Sequence, residues 1–185
     1  MKTILILALL LLSPVLARAS EEAAWAALSR PGAIALMRHA LAPGTGDPPN
    51  FTLGDCATQR NLDGRGREQA RRAGAALLEK GVAFDRVFTS EWCRARETAE
   101  LLGHGAPEPL PALNSFFGER SLGPERTEAA LAALAALPEG ARVMLVSHQV
   151  NVTALSGVFP ASGEIVVGFL GPEGFEAAGT ILIAP

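Results

Sequence analysis

Residues 143–148 read VMLVSH, and the VMLV part is the most strand-like run in the chain. Consecutive apolar residues without polar alternation suit a strand buried on both faces, and such strands belong to parallel sheets covered by helices. The run stops at Ser147 and His148, polar residues placed where the strand would end. Two other stretches repeat the pattern: GAIALM (32–37) runs into Arg38 and His39, and FDRVFT (84–89) runs into Ser90 and then Arg94.

Helical patterns lie between these runs. Gly64–Lys80 carries Ala70, Ala73, Gly74, Leu77 and Leu78 at i, i+3, i+4, i+7 and i+8, with charged residues around the rest of the wheel and Gly81 as its stop. Glu91–Leu102 reads as a helix that Ser90 would cap, and Pro124–Leu137 as one opened by proline and closed before Pro138. Shorter helices are expected at Glu21–Ser29 and Val150–Leu155, and at most a short edge strand at Pro107–Pro111. Pro43–Asn50 is a Gly/Pro-rich surface loop, and Ile165–Leu170 with Phe175–Ile183 form a closing hairpin. The expected architecture is an α/β three-layer sandwich: a mainly parallel central sheet, helices on both faces, and an antiparallel element near the C-terminus.

Composition narrows the class. The 185 residues are 49% hydrophobic and 19% charged, enough for one domain with a buried core. Sixteen basic and 19 acidic side chains give a net charge of -3, so no global positive field exists to hold a nucleic-acid backbone. The N-terminus reads MKTILILALLLLSPVLARA: a lysine, an apolar run, a breaker at Pro14 and small residues at 17 and 19. This is the pattern of a secretory signal peptide over residues 1–19, cleaved after Ala19, with an uncleaved anchor as the alternative. The apolar run is short of the ~20 residues of a spanning helix. Residues 20–185 are then the functional domain, periplasmic or secreted, with no stable membrane span after cleavage. Export makes a disulfide between the only two cysteines, Cys56 and Cys93, the expectation over two buried free thiols.

In open α/β sheets, ligands bind outside the carboxyl ends of the strands. Arg38, His39, Arg94 and His148 should therefore meet in one crevice, with Ser90 beside them. Guanidinium forks match phosphate bidentately, and a neutral imidazole among them can act as a nucleophile and form a phosphohistidine. The residues point to a small phosphorylated substrate and to chemistry that needs no metal and no cofactor.

Three segments, in order, resemble the histidine phosphatase superfamily: LMRHA (36–40) its RHG signature, SEWCRARETA (90–99) its SxxxRxxxTA segment, and VSHQVNVTAL (146–155) its second-histidine segment. RNLDGRGREQA (60–70) is similar to the stretch that follows the first motif in many members. The resemblance implies the mutase-like branch 1, a phosphatase with His39 as nucleophile and Arg38, Arg94 and His148 as the phosphate pocket. Ala40 stands where the signature has glycine. Asn114 stands roughly where that branch has its acid, so Glu119 and Asp55 are the alternative proton donors, with Arg60, Asn114 and Ser90 as further substrate contacts. Gln149 after His148 departs from the phytase-like branch. The RHALAPGTGDP and PALNSFF segments are similar to exported bacterial members related to lipopolysaccharide core heptose phosphatase, which makes envelope phosphosugars the expected substrates. Two other functions fit the same residues: a non-catalytic phosphate-binding module and a protein phosphohistidine phosphatase.

Overall fold

The computed structural model describes residues 13–185, so most of the segment expected as a signal peptide, residues 1–12, lies outside the described residues. In chain order the elements are α1 (Ser13–Leu28), β1 (Ile34–Arg38), α2 (Gly64–Glu79), β2 (Arg86–Thr89), α3 (Cys93–Leu102), β3 (Glu108–Pro109), α4 (Gly123–Ala135), β4 (Val143–Ser147), α5 (Gln149–Ser156), β5 (Glu164–Gly171) and β6 (Gly174–Leu182). Helix α1 begins earlier than the expected Glu21–Ser29 and crosses the expected cleavage point. Its sequence contains no helix breaker after Pro14 and is rich in alanine and leucine, so helical propensity does not change at Ala19.

The strands form one six-stranded sheet in the order β3-β2-β4-β1-β5-β6. β3, β2, β4 and β1 are mutually parallel, and β5 and β6 are the antiparallel element. This is the α/β sandwich expected from the strand-helix alternation. A strand sends alternate side chains to opposite faces. In β1, Ala35 and Met37 join Met144, Val146, Ile165 and Val167 in the core under α1, α2 and α3. Ile34 and Leu36 join Val143, Leu145 and Val166 in the core under α4 and α5. Both faces of β4 are covered, which explains why its sequence is apolar without alternation.

Two glycines of α2 are required by close approach. A Cβ on Gly66 would lie 1.9 Å from the Leu41 carbonyl oxygen, and one on Gly74 would lie 2.0 Å from that of Leu102. The first brings α2 against the loop that follows His39. Gln69, fully buried on the same helix, accepts the Leu41 N–H at 2.9 Å and donates to the Ser162 and Ile183 carbonyls. The chain after β1 is thus pinned between α2, the start of β5 and the C-terminal segment.

Candidate active site

Register decides the site. Arg38 lies opposite Ser147 in the β1–β4 pair, and Thr89 lies opposite Val146 in the β2–β4 pair. The residues that follow, His39, His148 and Ser90, therefore leave the sheet side by side at its carboxyl edge. The His39 N–H continues the ladder to the Ser147 carbonyl at 2.8 Å, and the Ser90 N–H does so to Val146 at 3.0 Å.

His39 is 2% exposed, and its Nδ1 lies 2.8 Å from the Ala40 carbonyl oxygen. A carbonyl only accepts, so Nδ1 carries the proton and Nε2 keeps its lone pair. That nitrogen accepts the Arg94 Nε–H at 3.2 Å. Burial, and then the Arg94 guanidinium, hold His39 well below the ordinary imidazole pKa. The ring is neutral, with its free nitrogen turned toward a cation. Thr98 supports this turn of chain: its hydroxyl accepts the Ala40 N–H at 3.1 Å and donates to the Arg94 carbonyl at 2.7 Å.

His148 is also buried and neutral, depressed by burial and then by His39 and Arg94. Its Nδ1 lies 3.4 Å from Arg94 Nη2, and its Nε2 lies 2.8 Å from Ser90 Oγ. These contacts assign the proton to Nε2, which donates to Ser90. The Ser90 hydroxyl donates in turn to Asn114 Oδ1 at 3.2 Å, an atom that also accepts the Glu91 N–H at 2.8 Å. Ser90 and Asn114 are buried beneath His148 and do not reach the cavity wall. The expectation that they contact substrate directly is corrected in this respect: they hold the histidine.

The expected cap of α3 also changes. Glu91 and Trp92 remain outside the helix, which starts at Cys93 with Trp92 as its N-cap. The Asn114 carboxamide takes the Glu91 N–H, and Ser90 Oγ takes the Trp92 N–H at 3.2 Å. Arg94 consequently sits at the second helical position, with its guanidinium directed across the crevice.

Arg38, His39, Asp47, Arg60, Arg94 and His148 line a cavity of about 640 Å³, a normal size for a small-molecule site. Arg38 Nη1 donates to the Pro160 carbonyl at 3.0 Å, while its buried Nε has no hydrogen-bond partner among the described residues. Arg60 Nε donates to Gly46 O at 2.8 Å, and Nη1 donates to Ala42 O. Burial and the neighbouring Arg94 lower Arg60 to about 10, still cationic at neutral pH. Four arginines, Arg126 being the fourth, and two neutral imidazoles thus line one space, and an anion placed there relieves the repulsion among the guanidiniums. The orphaned Arg38 Nε is a donor that an oxyanion would satisfy.

The proposed proton donors fare differently. Glu119 is exposed and lines the same cavity at its mouth. Asp55 is exposed, lies outside the cavity wall, and uses its carboxylate to accept the Ala57 N–H at 3.0 Å, capping the short turn Cys56–Thr58. The disulfide Cys56–Cys93 is present and fastens this turn to the first residue of α3, next to Arg94.

Sequence reasoning missed Asp47. Its carboxylate spans the Arg94 fork, with Nη1–Oδ1 at 2.7 Å and Nη2–Oδ2 at 3.1 Å. It also accepts the Arg60 N–H at 3.1 Å and the Trp92 indole N–H at 3.0 Å. Burial pushes this carboxyl up, but the hydrogen bond and charge of Arg94 outweigh burial and hold it below its ordinary pKa. Trp92 in turn stacks on Phe51, with ring centroids 5.0 Å apart. The one available signal was that Asp47 is the sole acid of the Pro43–Asn50 loop.

A family model described as histidine phosphatase superfamily (branch 1) matches residues 34–124, the stretch from β1 to the start of α4 that carries Arg38, His39 and Arg94. Over these residues the chain belongs to the histidine phosphatase superfamily. Among solved structures it is similar to a protein histidine phosphatase SixA complexed with tungstate, at 21% identity and a TM-score of 0.54, over 80% of this chain and 96% of that one. It is also similar to a variant phosphoserine phosphatase from Entamoeba histolytica complexed with phosphoserine, at 12% identity and a TM-score of 0.57, over 80% and 95% of the two chains. Among curated proteins, the mitochondrial serine/threonine-protein phosphatase Pgam5 of Drosophila persimilis is 42% identical over 50 residues. That match spans 27% of this chain and only 17% of the relative.

Proposed function

We propose that this protein is a phosphatase that takes the phosphoryl group of a phosphomonoester onto His39 Nε2 and passes it to water. The observation that carries the reading is the His39 tautomer: Nδ1–H is tied to the Ala40 carbonyl, so the Nε2 lone pair faces the arginine-lined cavity. As Nε2 bonds to phosphorus and the ester oxygen departs, the Arg94 Nε–H loses its nitrogen acceptor and lies beside a phosphoryl oxygen. Arg38 Nε and the Arg60 guanidinium supply further fixed donors, and His148 completes the pocket. Such preorganised charge stabilises the transferring phosphoryl group while His39 supplies the nucleophile. Water then attacks the phosphohistidine and returns His39 to its neutral state.

The leaving group is the open term. Asp47 is held as a carboxylate by Arg94, Asp55 caps a turn away from the cavity, and Glu119 stands only at its mouth. Glu119 is the proton donor in this reading, and leaving groups that need little protonation are turned over best. The same shortage favours a second reading, hydrolysis of protein phosphohistidine, whose leaving nitrogen needs less help. For the natural substrate we favour small envelope phosphosugars, on an export signal over residues 1–19, a catalytic domain over 20–185 and a periplasmic or secreted location. The disulfide supports an oxidising compartment.

The test is hydrolysis of an activated aryl phosphate by the protein and by His39→Ala. Loss of turnover in the variant is expected. Equal rates remove His39 from the mechanism, and phosphate binding without turnover of any phosphoester makes the protein a binding module. Comparing a phosphoramidate, an alkyl phosphate and Glu119→Gln then separates the two substrate classes.

A further inference from the structure

All five N–H groups of Arg94 are engaged within the protein. Nε donates to His39 Nε2, two donate to Asp47, one to the Arg60 carbonyl at 3.2 Å, and one points at His148 Nδ1. Arg94 is 2% exposed, and the Asp47 side chain that clasps it is 16% exposed. The carboxylate accepts four donors in all, from Arg94, the Arg60 backbone and Trp92. It therefore sits on the arginine as a built-in anion in a cavity whose other charged walls are mainly cationic.

We infer that Asp47 is a positioning residue with two effects: it aims Arg94 at the reacting nitrogen of His39, and its negative charge weakens the hold of the pocket on free phosphate. The inference rests on the reading of this cavity as a phosphate site.

The first effect follows from geometry. A bidentate carboxylate fixes both the plane and the roll of a guanidinium, which an acceptor at a single nitrogen does not. With that fork clasped, Arg94 Nε–H can point only at His39 Nε2. The second effect follows from charge. A phosphate bound against Arg38, Arg60 and Arg94 lies within a few ångströms of the Asp47 carboxylate, and like charges at that range in a partly buried site repel strongly. Affinity withheld from substrate and product phosphate does not slow the chemical step, because only interactions stronger in the transition state raise turnover. Weaker product binding also favours release. Besides Arg94, the Asp47 carboxylate is held by the Arg60 N–H and by the indole N–H of Trp92, a ring that stacks on Phe51, and these bonds oppose its swinging clear of Arg94 when phosphate enters.

The experiment measures inorganic phosphate binding by calorimetry at pH 7, and steady-state turnover of an aryl phosphate, for wild type, Asp47→Asn and Asp47→Glu. Asp47→Asn is expected to bind phosphate about tenfold more tightly than wild type while kcat falls about tenfold. Asp47→Glu keeps the charge and shifts its position, so its phosphate affinity should stay within about twofold of wild type while kcat still falls. A merely structural aspartate would lose affinity and turnover together. If Asp47→Asn binds phosphate equally or more weakly while wild type binds it, the inference is overturned. It is equally overturned if Asp47→Glu binds phosphate about tenfold more tightly than wild type, an arm that decides even if the asparagine variant does not fold. Wild type that binds no phosphate refutes instead the reading of the cavity as a phosphate site.

Discussion

Acidification is expected to destabilise this fold through two histidines. Both His39 and His148 are fully buried and neutral, held well below the ordinary imidazole value of 6.5 first by burial. In the unfolded chain both rings take up protons as pH falls through 6.5, while in the folded protein they do not, so acid draws the equilibrium toward the unfolded state. Stability is complete above 6.5 and is lost as pH falls from there toward the depressed folded values. Each group loses about 1.4 kcal/mol per pH unit in that window, so between pH 7.5 and 5.5 the pair costs about 3 kcal/mol. For a chain of this size that is a fall of about 6–12 °C in Tm. Asp47, whose carboxyl is held below its ordinary value, contributes only below about pH 4 and leaves this window undisturbed. The assay is denaturant unfolding at both pH values for wild type and His39→Gln, whose side chain cannot titrate. The variant should lose about half of the pH dependence. Wild-type stability equal at the two pH values, or a glutamine variant with the full slope, refutes the assignment of two neutral buried rings.

Three further outcomes are expected. Reducing Cys56–Cys93, which closes a loop of sequence separation 37, should cost about 4 kcal/mol in chain entropy and weaken phosphate binding, read by unfolding and calorimetry with and without reductant; unchanged phosphate affinity would show that the loop holds the pocket without its bridge. Gly66→Ala and Gly74→Ala should each destabilise by about 1–3 kcal/mol, because their Cβ atoms meet backbone oxygens, whereas Gly64→Ala, with nothing within 4 Å, should be near neutral. Ser90→Ala leaves the buried His148 Nε2–H without its acceptor, at a cost of about 1–3 kcal/mol, and should lower kcat more than it raises KM, as kinetics on an aryl phosphate will show.

The parts of this molecule that were legible in one dimension are those whose signal is local. The β4 run VMLV is apolar without alternation because helices cover both faces of the sheet, and its abrupt stop at Ser147-His148 marks the carboxyl edge. The same holds for β1 and its Arg38-His39 terminus. Strand register then brings residues far apart in sequence together, which is why His39, Arg94 and His148 could be anticipated as neighbours. Asp47 could not be read in the same way. Its partner Arg94 lies 47 residues away, and an aspartate in a Gly/Pro-rich loop has the appearance of an ordinary turn residue. Asp55 misled for the converse reason: placed beside a cysteine near the crevice, it looked like an acid, but the local N–H of Ala57 claims it. The start of α3 shifted because a distant carboxamide, Asn114, captures the Glu91 N–H before the helix begins. Long-range hydrogen bonds to loops are the information that periodicity and propensity do not carry.

The most direct test of the account is to quench the protein rapidly during turnover of a phosphomonoester and locate any covalent phosphate by mass spectrometry under conditions that preserve phosphohistidine. An acid-labile phosphoryl group is expected on His39 and is absent from His39→Ala. Phosphate found on His148 instead, or wild-type turnover by His39→Ala, would contradict it.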